Sequence, residues 1–235
     1  MPQHRDCYAR ALNDCSDSIS KEHYISKSVL EIGQDDLGAI QLTGALASQP
    51  SKTRDLANAY VLCSKHNEEL SNIDNKVSVF LRRLHTAACN RECADVLIEE
   101  SILARWLWKY VAGWASHYSR EDILPESFFS KDNMELLFGR RIPVEPELTL
   151  AVGRANDHDA AKQVFAIQGG APAWIISHVS GNGGTWGISI IANPAVFTVS
   201  LLPKIAPQFG TGRTDVDGIS VNGPDNQQLC VGFTN

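Results

Sequence analysis

Cys63-Ser64-Lys65-His66, together with the two cysteines that precede it at Cys7 and Cys15, constrains this chain more than any other feature. A thiol and an imidazole three residues apart can face one ion, and zinc takes four sulfur and nitrogen donors in a tetrahedron. Cys7 and Cys15 are the only earlier cysteines able to complete the set, so a site of Cys7, Cys15, Cys63 and His66 is expected. The competing reading is that the spacing from Cys7 to Cys15 is too long for an ordinary zinc knuckle and that the thiols are merely buried. Cys89 and Cys93 lie four apart, with His85 four before them. They lack a clear fourth ligand, and buried thiols between helices are the better reading there.

The amino terminus carries charges with no apolar stretch behind them, so no secretory signal is expected and the cytoplasm is the default compartment. Disulfides are disfavoured in that setting, which strengthens the metal reading. Apolar runs are interrupted well short of the roughly 18 residues of a membrane span, so no membrane partner is expected. With 43% hydrophobic and 20% charged residues in 235, the chain has the composition of a folded globular protein. Its 21 basic and 27 acidic side chains leave a net charge of -6, most of it after residue 120. No broad basic surface exists to hold nucleic acid by counterion release alone, so any such contact has to be local, metal-assisted or partner-assisted.

Three textures divide the chain. Residues 1–62 are turn-rich, with strand-like runs at His23–Leu30 and Asn58–Leu62. Leu70, Ile73, Val77, Phe80, Leu81 and Leu84 recur at helical spacing, and a second, largely buried helix is expected over Ala94–His117. Within it Trp106, Tyr110 and Trp114 share a packing face, while Trp108 with Arg105 or Lys109 is a candidate for a second, exposed one. A short helix is expected at Lys131–Phe138. From Pro143 onward Leu148–Val152, Gln163–Ile167, Ala173–His178, Thr185–Ile191 and Val196–Leu202 read as strands, with Gly181–Gly184 as a hairpin turn. The expected class is α+β, in three regions: a metal-binding domain at 1–90, a helical region at 91–142 and a mostly antiparallel β region at 143–235.

The order Cys7…Cys15, then Glu22-His23 entering a strand, then Asn58, then Cys63-x-x-His66-Asn67, resembles the HNH endonucleases of the His-Me finger group. The runs Lys21–Leu30 and Val61–Asp74 are similar to those of uncharacterised bacterial HNH-like proteins. The resemblance covers residues 7–85 and, more faintly, reaches to about residue 150. It implies a ββα unit on a treble-clef zinc finger, with a structural zinc on Cys7, Cys15, Cys63 and His66.

By the same resemblance His23 is the general base, Asn58 orients the histidine or its loop, and Glu22 and Asn67 hold a catalytic Mg²⁺ or Mn²⁺. The implied activity is metal-dependent hydrolysis of nucleic-acid phosphodiester bonds, with DNA as the partner. A homodimer or a protein partner is a further expectation. Three letters depart from the commoner pattern: Glu22 stands for Asp or His, Asn67 for His, and His66 for a fourth cysteine. The alternative is a catalytically inactive treble-clef module that binds nucleic acid or a protein. A third reading makes the carboxy-terminal β region a ligand-sensing switch.

Overall fold

The computed structural model describes residues 4–33, 39–40, 51–52, 57–90, 95–118, 124, 127–141, 150–154, 175–181, 184–192, 195–200, 218–222 and 228–234. In chain order the elements are β1 (Ile19–His23), α1 (Lys27–Leu30), β2 (Ala39–Ile40), β3 (Ser51–Lys52), β4 (Asn58–Cys63), α2 (Ser64–Asn90), β5 (Asp95–Glu99), α3 (Glu100–His117) and α4 (Lys131–Leu137). Strands β6 (Leu150–Arg154), β7 (Ile175–Gly181), β8 (Gly184–Ala192), β9 (Ala195–Ser200), β10 (Gly218–Asn222) and β11 (Gln228–Thr234) follow. The class is α+β, as the texture of the sequence indicates.

Helix α2 forms where the apolar stripe predicts it: Leu70, Ile73, Val77, Phe80, Leu81 and Leu84 are all buried. Helix α3 differs from expectation at both its start and its faces. Residues Asp95–Glu99 are extended as β5, and Glu100 opens the helix with its carboxylate at the positive end of the helix dipole. Trp108 is buried against Phe128, with ring centroids 5.3 Å apart, and Lys109 is buried too, so the expected exposed second face is inside the molecule. Helix α4 is capped by the Ser130 hydroxyl, which accepts from the Asn133 amide at 3.4 Å. The chain turns away after it at Gly139, whose φ of 66° suits only glycine readily.

The strand-like run His23–Leu30 also resolves differently. The strand is Ile19–His23, and Lys27–Leu30 turns into α1, burying Val29 and Leu30 on the helical period. Beyond residue 143, β6, β9, β8 and β7 lie side by side in that order in an antiparallel sheet. The Gly181 to Gly184 pairing stands where a hairpin is expected, whereas Gln163–Ile167 lies outside the described residues. A second sheet has the order β10-β11-β5, in which β11 runs parallel to β5. The last strand of the chain therefore pairs with the stretch before α3. Phe197 on β9 meets Phe80 on α2 edge-on at 5.5 Å, and both are buried.

Candidate metal centre and the adjoining strand pair

The amino-terminal segment, the β1–β4 pair and the first turn of α2 converge on one point. Tyr8 N donates to the Val61 carbonyl at 3.0 Å, and Ser64 N donates to the Ser18 carbonyl at 2.9 Å. These bonds place Cys7 and Cys15 against the end of β4, where Cys63 is the last strand residue and His66 lies one turn into the helix. The Sγ atoms of Cys7, Cys15 and Cys63 lie 3.4, 3.9 and 3.2 Å from His66 Nδ1. All four ligand atoms fall within 4.8 Å of one another, and all four residues are buried.

This cluster suits a divalent cation on chemical grounds. Burial acts to raise Cys63, but hydrogen bonds from the His66 backbone, Ser16 and Cys7 outweigh it and hold that thiol below its usual value, while burial pushes the Cys7 thiol up, a cost that a bound cation relieves. Desolvation holds His66 below the usual histidine value, so its ring is neutral and able to ligate. The His66 Nε2–H donates to Asp14 Oδ1 at 2.9 Å, which leaves the Nδ1 lone pair facing the three sulfurs. Desolvation acts to raise Asp14, but hydrogen bonds from Lys65, His66 and Arg140 outweigh it and bring the carboxyl down to about 2. Arg140, just after α4, donates to Asp14 Oδ2 at 2.8 Å and to Glu69 Oε2 at 2.6 Å. The four ligands expected from the sequence are thus together, and a metal such as zinc fits them. Asp14, the carboxylate immediately before Cys15, and Arg140 support the four ligands from outside the set that the sequence points to.

Residues His23 and Asn58 are opposed across the β1–β4 ladder, one step beyond the Glu22–Ala59 pair. Tyr24 N donates to the Ala57 carbonyl at 2.8 Å and closes that end. Ala57 has a φ of 48°, a left-handed conformation that strains an alanine, and such strain tends to collect beside functional positions. Both His23 and Asn58 are half-buried, as is Asn67 in the first turn of α2.

Glu22 is placed differently. Adjacent strand residues point to opposite faces, and Glu22 turns inward, only 1% exposed. Its Oε1 lies 3.5 Å from Lys109 Nζ and accepts from Tyr8 Oη at 3.5 Å, while Oε2 has no hydrogen-bond partner among the described residues. Desolvation pushes the carboxyl up to about 7; Lys109 opposes the rise and Asp74 adds to it. Lys109 Nζ also donates to Asp74 Oδ1 at 2.9 Å, to Asp74 Oδ2 at 2.8 Å and to the His23 carbonyl at 3.1 Å. Trp106 Nε1 completes the network with a 3.2 Å bond to Asp74 Oδ1. Lys109, the one charged residue in the run Trp106–Ala115 of α3, is the trace of this arrangement in the sequence.

No protein family, curated protein or solved structure matches the chain. The arrangement of the residues carries the functional reading. Among the described residues no helix is long and apolar enough to cross a membrane.

Proposed function

We propose that the chain is an HNH-type endonuclease built on a zinc-stapled treble clef, hydrolysing phosphodiester bonds in DNA. The observation that carries this reading is the placement of His23 opposite Asn58 on a strand pair whose end holds the Cys7, Cys15, Cys63 and His66 cluster. Cys7, Cys15, Cys63 and His66 would hold a zinc outside the chemistry, and its binding energy would fix the amino-terminal segment and α2 to the strands, because binding energy at such a site is folding energy. His23 takes the proton of an attacking water, a task suited to an imidazole, which can accept and release a proton near neutral pH in general acid–base catalysis. The water oxygen bonds to phosphorus as the bond to the 3′ oxygen breaks, and Asn58 keeps the histidine aligned.

The HNH resemblance also puts a divalent ion on Glu22 and Asn67, where it would stabilise charge on the phosphate. Asn67 is accessible for such a role. Glu22 does not fit it, because its carboxylate is buried, faces away from His23 and is engaged by Lys109. That same misfit favours a second reading, a treble-clef module that binds nucleic acid or a protein partner and does not cut.

Plasmid DNA incubated with the chain in Mg²⁺, in Mn²⁺ and in a chelator separates the two. Cleavage is expected, with a loss of about 100-fold or more in His23→Ala, the usual contribution of a general base. Binding without cutting by the wild-type chain in every condition, or cutting undiminished in His23→Ala, overturns the nuclease reading.

A further inference from the structure

Two carboxylates, Glu22 and Asp74, and the backbone carbonyl of His23 converge on one point inside the molecule, and the group at that point is the ammonium of Lys109. The geometry points to Lys109 as a built-in cation: its ammonium, in place of a divalent ion, answers Glu22 and Asp74, and by holding the His23 carbonyl it positions that histidine. The second half rests on the nuclease reading; the first half does not.

The distances favour an ammonium. Three oxygens stand 2.8, 2.9 and 3.1 Å from Nζ, the spacing of charge-assisted N–H···O bonds. A hard divalent ion draws its oxygens in to roughly 2.0–2.6 Å and keeps bound waters where it can. Neither Glu22 nor Lys109 is exposed, so an ion reaching Glu22 would have to be stripped of water and expel a charge that is already paired. Lys109 is attached to α3, its hydrogen bonds go to α2, through Asp74, and to the last residue of β1, and Glu22 stands beside it as an ion pair at 3.5 Å. It therefore ties two helices to the residue whose side chain faces Asn58. Lys109 is fully buried, so its charge is answered by these oxygens and not by solvent.

The test uses Mn²⁺ as the probe on the zinc-loaded full chain, with affinity read by electron paramagnetic resonance and the histidine rings by NMR. Glu22→Gln keeps the Lys109–Asp74 pair, and its Mn²⁺ affinity is expected to stay within twofold of wild type. Lys109→Met is expected to bind Mn²⁺ at least tenfold more tightly, a gain removed by adding Glu22→Gln, and to move the His23 ring signals while those of His85 and His117 stay in place. A tenfold loss of Mn²⁺ affinity in Glu22→Gln shows that Glu22 ligates an ion and overturns the inference. Unmoved His23 signals in a folded Lys109→Met overturn the positioning role. Should Lys109→Met fail to fold, the Glu22→Gln comparison decides the cation question and Lys109→Arg serves for the ring signals. None of these readouts needs cleavage, so a chain that cuts nothing leaves the test intact.

Discussion

A histidine can serve a metal through either ring nitrogen, and what the other nitrogen does decides which. At His66 the Nε2–H is committed to Asp14, so Nδ1 is the donor. Asp14→Asn keeps an acceptor for that proton but removes the charge that strengthens the ring as a ligand, and zinc affinity should fall about 10- to 100-fold. Competition with a chromophoric chelator measures it, and Cys63→Ser, which removes a ligand outright, should lose both the zinc and the folded state. The buried Glu22 gives a pH dependence whose sign can be worked out. Its folded value of about 7 lies above the ordinary 4.5, so between those limits the folded chain holds a proton that the unfolded chain releases. Stability from this group is therefore present in full below the lower limit and falls as pH rises through the folded value, by on the order of 3 kcal/mol in all. Denaturant melts at pH 5 and pH 8 should show that slope in the wild type and lose it in Glu22→Gln. These residues differed in how well the sequence revealed them. Four soft donors at fixed spacings announce a metal without any fold, but whether Glu22 faces an ion or a lysine depends on α3, some eighty residues away, and no local pattern carries that.

At the scale of elements, the position of His23 depends on how closely α3 approaches the end of β1. Gly113 makes that approach available: a Cβ there would lie 2.3 Å from Tyr24 Cβ, well inside contact distance, and 3.5 Å from the Tyr24 backbone. Gly113→Ala should therefore cost about 1–3 kcal/mol in stability, the usual penalty of overpacking. It should also shift the His23 ring signals, because Tyr24 is the next residue. A variant with unchanged melting and unchanged signals would show that β1 has room to retreat. Helices with a long apolar stripe, such as α2, were readable in advance because a period of 3.6 repeated over several turns has one interpretation. Short apolar runs do not. Lys27–Leu30 reads as a strand continuing β1 but folds as α1, and Asp95–Glu99 reads as the start of α3 but is β5. The alternation of buried Val96, exposed Leu97 and buried Ile98 is plain once the strand is known, yet three residues of alternation also fit the edge of a helix.

At the scale of the whole chain, the carboxy-terminal strands complete surfaces formed by elements in its first half. Strand β5 finds its neighbour in β11, where Val96 pairs with Val231 and Ile98 with Phe233. A parallel partner more than a hundred residues distant leaves no mark on the sequence between them. The β8 and β9 strands supply Ile190 and Phe197 to the same buried cluster as α2 and α3. If that packing is structural support for the metal centre and the β1–β4 pair, a chain ending at residue 142 loses the partner of Phe80 and the hydrogen-bonded neighbour of β5 together. Such a fragment should bind zinc at its cysteines but melt without a cooperative transition, since one aromatic side chain removed from a core costs about 3–5 kcal/mol by itself. Phe197→Ala in the full chain isolates that single contribution, and its melting midpoint should fall while zinc content stays at one per chain. A fragment 1–142 that melts as sharply as the whole would mean that the strands after residue 143 rest on a unit already complete. The carboxy-terminal sheets would then be free to serve a purpose of their own, where the sharing of buried side chains now ties them to the stability of the site.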